Sequence, residues 1–208
     1  MSAIATPQAP GTTPPPGGGS RGPSRYRWTL QAYRQLGKTG LFHDIKTMLI
    51  GGEILVIALP EPPHNTSLGL AAEYLRTAFS TGYHVRNQMA LDIGTENDPS
   101  PDLAVVPGSV RDYANRQATT AVLVVEVSDG TLFFDTTTKA ELYATAGVPE
   151  YWVIDLQNRR LLVFRDPVPL PAGLGATAYR THLTFDPGDT VSPLAAPAVT
   201  VRVADLLP

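Results

Sequence analysis

The sequence predicts an α/β domain with an α-β-β-β-α-β core, a β-hairpin ahead of it and short β segments after it. Two observations carry most of this. Leu68, Ala71, Ala72, Leu75, Ala78 and Phe79 recur at helical spacing and give one apolar stripe. Ala121-Val122-Leu123-Val124-Val125-Glu126-Val127 is apolar without alternation, as in a central strand buried on both faces.

The elements follow in order. Residues 1–25 are rich in Pro, Gly, Thr and Ser and read as a disordered tail, leaving 26–208 as the domain. Thr29 to Leu36 reads as a short helix, with Thr29 as N-cap and Gly37 as its stop. Lys46 to Leu59 reads as a hairpin turning at Gly51-Gly52. Pro62 to Ser67 is a loop that starts the striped helix, which Gly82 ends. Tyr83 to Ile93, Leu103 to Val106 and Ala121 to Val127 are strands. A helix over Thr136 to Ala146 has Asp135 as N-cap and Gly147 just past its end. Strands over Tyr151 to Asp155 and Arg160 to Arg165 come next. The Pro-rich segment from Pro167 to Pro208, with β character at Val199 to Val203, covers a sheet edge.

Composition narrows the function. The chain has 208 residues and no cysteine, which removes disulfides and thiolate metal sites. A metal would sit on carboxylates, carbonyls or imidazoles, which favours magnesium or manganese. With 16 basic and 19 acidic residues, the net charge of -3 argues against nucleic-acid binding through a wholly basic surface. A local basic rim stays open. No apolar run reaches the roughly 18 residues of a membrane span, and a cytoplasmic protein is expected.

Three segments carry chemistry. Glu126 lies within the apolar run, where an ionised carboxylate costs several kcal/mol, roughly, unless a metal, a lysine or a substrate compensates it. The structural alternative is a strand-end acid facing solvent. Asp102 follows Pro101 at the mouth of another buried strand; alone it reads as a turn residue. Together, two acids at neighbouring strand ends can converge on one hard cation, which activates water and polarises a phosphodiester. Lys139 and Tyr143 are one turn apart on one helix face. Lys139 either pairs with Asp135 at the surface or points at the end of the Glu126 strand.

At this point the residues resemble a known family. Glu126-Val127-Ser128-Asp129-Gly130-Thr131, Asp135, Lys139, Tyr143-Ala144 and Gly147-Val148-Pro149-Glu150-Tyr151-Trp152-Val153-Ile154-Asp155 are similar to the Uma-type restriction endonuclease family. Arg27-Trp28-Thr29, Gly52-Glu53, His64, Gln88, Pro101-Asp102, Ser192-Pro193-Leu194 and Asp205-Leu206-Leu207-Pro208 also match. The resemblance implies a restriction-endonuclease-like fold of the PD-(D/E)XK superfamily. It implies a DNA endonuclease using Mg or Mn, with Asp102 and Glu126 as metal ligands and Lys139 as the catalytic lysine. Ser128 stands where the superfamily lysine follows the acid. Glu53, His64 and Gln88 are further candidate contributors. The family's Glu-Leu-Ile-Asp-Gly-Glu hairpin reads Met48-Leu49-Ile50-Gly51-Gly52-Glu53 here, so two acids are missing. An inactive nuclease-fold module that binds DNA or protein is the alternative.

The remaining candidates have bland readings. Tyr151 and Trp152 are expected in the core, Glu73 in solvent, and Arg159-Arg160 in a solvated turn. A homodimer is expected from the two-fold symmetry of duplex DNA.

Overall fold

Local sequence chemistry sets the first elements of the computed structural model, which describes residues 23–170 and 177–208. The expected tail over residues 1–25 lies outside the described residues except for its last three. α1 (Leu30–Lys38) is capped by the Thr29 hydroxyl, which accepts the Ala32 N–H at 3.2 Å. Gly37 does not stop it; the helix runs to Lys38, and Gly40 takes the left-handed turn at φ 84°. β1 (Lys46–Ile50) and β2 (Glu53–Ile57) form the expected hairpin. Gly51 and Gly52 turn it at φ 56° and 75°, which side chains rarely adopt. α2 (Pro62–Ala78) starts earlier than the sequence suggests. Its two prolines sit in the first turn, where no helical partner exists for the missing N–H.

β3 (Tyr83–Asn87), β4 (Leu103–Pro107), β5 (Leu123–Ser128), β6 (Glu150–Asp155), β7 (Arg160–Pro169) and β8 (Thr177–Phe185) pair in that order. Only β5 and β6 run parallel, as their helical connection requires. That connection is one continuous helix: α3 (Leu132–Phe134), a π segment (Asp135–Lys139) and α4 (Ala140–Thr145). The core order α-β-β-β-α-β is therefore the expected one.

Three boundaries are corrected. β3 stops at Asn87 rather than Ile93, because Gln88 turns the chain at φ 49°. The connecting helix begins at Leu132, so Asp135 is buried inside it and is no N-cap. The C-terminal segment does more than cover an edge. It supplies β8, the outer strand of the sheet, and a small pair of β9 (Thr190–Val191) and β10 (Val201–Arg202).

Alternation along β4, β5 and β6 divides the apolar residues between two cores. Leu103, Val105, Leu123, Val125, Val127, Trp152 and Ile154 pack against α2 and the C-terminal Val203, Leu206 and Leu207. Ala104, Val106, Val124, Tyr151 and Val153 pack against Ala140, Tyr143 and Ala144 of the connecting helix. Every residue of β5 is buried, as its lack of alternation demands. Tyr151 and Trp152 are core residues, and Glu73 is exposed, both as expected.

Candidate active site

Strand register brings the two acids together. Leu103 pairs with Val125, so Asp102 stands one step beyond, level with Glu126. The Asp102 N–H donates to Glu126 Oε2 at 3.3 Å, and the Val127 N–H donates to Asp102 Oδ2 at 2.9 Å. His64, in the first turn of α2, places Nε2 at 3.1 Å from Asp102 Oδ2. Gln88 donates through Nε2 to Asp102 Oδ1 at 3.2 Å. Its left-handed backbone costs a residue with a Cβ about 1–2 kcal/mol, and it sets the amide against the acid.

The connecting helix closes the other side. Lys139 Nζ lies 3.0 Å from Glu126 Oε2 and 2.9 Å from Asp135 Oδ1. The Tyr143 hydroxyl donates to Glu126 Oε1 at 2.7 Å. The π segment carries Asp135 and Lys139, and π turns widen a helix locally. The Tyr151 hydroxyl donates to the Asp135 carbonyl at 3.0 Å, and the Thr136 hydroxyl to the Leu132 carbonyl at 2.7 Å. These side chains satisfy carbonyls along the disturbed ladder. Asp135 also accepts the Thr131 hydroxyl at 2.6 Å. Lys139 thus joins both readings open to it: it pairs with Asp135 and it reaches the Glu126 strand.

Burial and charge act against each other here. Burial, only partly offset by Lys139 and reinforced by the charges of Asp102 and Asp135, pushes the Glu126 carboxyl up to about 7. Burial also raises Asp102. The hydrogen bond and charge of His64, the Val127 N–H and Lys139 overcome this and hold Asp102 below the usual carboxylate range. His64 is raised by its hydrogen bond to Asp102, against burial. Burial works to lower Lys139, but Glu126 and Asp135 outweigh it and keep the ammonium protonated.

The site opens on a cavity of about 180 Å³ lined by His64, Gln88, Asp102, Glu126, Asp135 and Lys139. Lys46 also lines it and donates to Gln88 Oε1 at 3.4 Å. Met48 stands in the same wall and offers no charge. Wider depressions exist, one of about 560 Å³ beside Thr136–Thr138 and His182, but among the described residues Glu141 is its single acid.

His64 and Gln88 therefore belong to the cluster, whereas Glu53 does not. Glu53 sits at the turn of the hairpin, exposed, 3.6 Å from Arg25. Arg160 pairs with Asp155 at 2.9 Å, and Arg159 donates to the Pro208 carbonyl at 3.2 Å, so neither reaches the site. Sequence reasoning missed Asp135 and Lys46 as members. The four-residue spacing of Asp135, Lys139 and Tyr143 was the signal for the first.

The donor chemistry suits a hard cation. Asp102 Oδ1 and Glu126 Oε1 each accept a single hydrogen bond among the described residues, from Gln88 and Tyr143. Each therefore keeps an acceptor position. His64 Nδ1 is buried without a partner among the described residues. Among the described residues no three His, Asp or Glu side chains already stand in a ligating arrangement. One or two carboxylates with waters and phosphates are nevertheless the usual holding of Mg²⁺.

Comparisons with known proteins agree with this architecture. A crystal structure titled as a "putative nuclease" of the DUF820 family, from Anabaena variabilis ATCC 29413, superposes with a TM-score of 0.64 at 17% identity. The match covers 86% of this chain and 96% of that one. No curated protein matches the sequence. Among the described residues no helix is long and apolar enough to cross a membrane. The Uma2 family model, described as "Putative restriction endonuclease", matches residues 30–204, and the chain belongs to that family.

Proposed function

We propose that this protein is a metal-dependent endonuclease that hydrolyses phosphodiester bonds of DNA. The observation that carries the reading is the meeting of Asp102, Glu126 and Lys139 at one open cavity. Asp102 and Glu126 would hold Mg²⁺ or Mn²⁺, which when bound supplies an activated water and polarises the scissile phosphate.

The chain's own residues do the rest. Lys139 is anchored by Asp135 at 2.9 Å, so it keeps its place when Glu126 turns its charge elsewhere. Its ammonium then faces the charge that develops on the phosphate oxygens. Tyr143 and the Asp102 N–H orient the Glu126 carboxylate, and Gln88 and the Val127 N–H orient that of Asp102. Preorganised carboxylates lose little freedom on binding. Lys46, at the cavity wall, offers a further cation to a substrate phosphate. The reading places the enzyme in the cytoplasm and pairs two copies on a two-fold duplex; light scattering at micromolar concentration reads the mass.

A second reading has its own support. Met48 offers the cavity no acid, and Lys139 and His64 already neutralise much of the cluster. An inactive nuclease-fold module that binds DNA or protein fits that balance. Plasmid nicking separates the two. The enzyme nicks with Mg²⁺ or Mn²⁺, is silent in chelator, and loses activity as Asp102→Asn. A parent that never nicks while the metals leave its melting unchanged supports the module.

A further inference from the structure

We propose that His64 is a third ligand of the cation site, giving it one imidazole nitrogen beside two carboxylates and a preference for Mn²⁺ over Mg²⁺. This rests on the cation reading of the same cavity and adds its donor set and its metal choice.

Four observations support it. His64 lines the cavity with Asp102 and Glu126, on the first turn of α2. Its Nε2 lies 3.1 Å from Asp102 Oδ2. Adjacent ligands around an octahedral ion with bonds of ~2.1 Å stand ~3 Å apart. A cation can therefore replace the shared proton without moving either side chain far. Its side chain is 13% exposed, so the ring meets the cavity at one edge. Finally, among the described residues Nδ1 is buried with no partner and the ring holds a single hydrogen bond, the one to Asp102. Exchanging it for a shared ion sacrifices no other contact.

Metal choice follows from the donors. Mg²⁺ takes oxygen and keeps its waters, whereas imidazole suits the transition metals. The cavity wall facing the acids carries Met48 and offers no third carboxylate in its place. Asp129 lines the cavity as well, but makes no bond to Asp102 or Glu126 among the described residues. Asp135 lines the cavity too, held by Lys139 and the Thr131 hydroxyl. His64 brings an imidazole to this wall, and that donor discriminates between the two ions.

The test uses the full chain and the metals alone. Mn²⁺ and Mg²⁺ binding is measured by calorimetry, and the Mn²⁺ complex by pulsed EPR for coupling to an imidazole nitrogen. The expected result is nitrogen coupling in the parent, lost in His64→Gln, with Mn²⁺ affinity falling about tenfold or more and Mg²⁺ affinity little changed. The EPR measurement on the parent needs no variant to fold. Absence of nitrogen coupling, or equal Mn²⁺ affinity in folded His64→Gln, overturns the ligand assignment while leaving the cation reading intact if Asp102→Asn still abolishes binding. A parent that binds neither ion overturns the cation reading and this inference with it.

Discussion

Two buried glutamates on adjacent strands make opposite use of similar burial. Glu150 of β6 is fully buried and fully answered. Its Oε1 accepts the Arg165 Nε and Nη2 protons at 2.9 and 2.6 Å and the Trp152 indole N–H at 2.9 Å; its Oε2 accepts the Leu194 N–H at 2.7 Å. It ties β6 to β7 and to the C-terminal segment. Glu126 of β5 is 2% exposed, yet it shares its lysine with Asp135, faces Asp102, and borders a cavity. A structural acid is matched by its own cation and closed off. A candidate site acid is under-compensated and left accessible to a ligand. Burial alone does not separate them; the partner count and the cavity do.

The two glutamates should differ most in activity. Glu126→Gln should lower metal-dependent DNA cleavage by about 10²–10³-fold or more, by analogy with removing one stabilising group from a site. Glu150→Gln should leave cleavage per folded molecule unchanged. Plasmid nicking at a temperature well below both melting points checks this. Equal cleavage by the parent and Glu126→Gln would remove Glu126 from the site.

Stability should invert the order. Glu150→Gln leaves the largely buried Arg165 guanidinium without a full charge partner, at a cost of up to about 3–5 kcal/mol. Glu126→Gln in chelator should cost little, because Lys139 keeps Asp135 at 2.9 Å. The amide can offer its oxygen to Lys139 and the Asp102 N–H and its NH₂ to the Tyr143 oxygen. Urea titration of both variants gives the two values. A Glu126→Gln loss as large as that of Glu150→Gln would make Glu126 a structural acid too.

Met48→Glu sharpens the contrast by adding charge to one of the two regions only. Met48 is 9% exposed and lines the cavity. A carboxylate there, near Asp102 and Glu126, should destabilise the chelated protein by about 1–3 kcal/mol through unpaired burial. It should also tighten Mg²⁺, since a further oxygen donor joins the site. Thermal melts with chelator and with Mg²⁺ measure both; an unchanged response to Mg²⁺ would place the ion away from this wall.

How much of this was legible follows from where the signal lies. The lack of alternation in β5 is local, so the burial of the strand could be read directly, while Glu126 itself stayed open to a solvent-facing reading. The spacing of Lys139 and Tyr143 is local too, and it placed both on one helix face. The partnership of Asp102 and Glu126 depends on strand register 24 positions apart in sequence, which only the pairing of acids at two strand ends hinted at. Asp135 misled because Thr-rich sequence after an acid resembles a helix start, while the helix enters from Leu132 through a π turn. β8 was hidden because prolines flank it and its pairing with β7 is set by tertiary contact. The pairing of Glu150 gave no sign: its partners Arg165 and Leu194 are far along the chain.

The smallest expected effect is also the most specific, because it isolates the charge of Glu126. In chelator, the folded-state carboxyl is raised to about 7, from an ordinary value of 4.5. A raised acid binds its proton more tightly in the folded state, so it stabilises the fold as pH falls from about 7 towards 4.5. His64 is raised as well, and its contribution is present below its ordinary value of 6.5 and lost as pH rises through the folded one. Both therefore make the protein more stable on mild acidification. Asp102 is depressed, so its contribution is lost only as pH falls through a value below 3.8, outside this window. Lys139 stays protonated throughout. The parent should gain about 1 kcal/mol between roughly pH 7.5 and pH 6 from Glu126, on top of the His64 slope. Glu126→Gln should keep only a His64 slope, weakened because the Glu126 charge helps to raise His64, so it should stay close to the parent near neutral pH and fall behind as pH falls. Urea titrations of both proteins across this range, in chelator, read the difference. Parallel curves for parent and variant would mean that Glu126 is already fully compensated, and the contrast with Glu150 would then rest on the cavity alone.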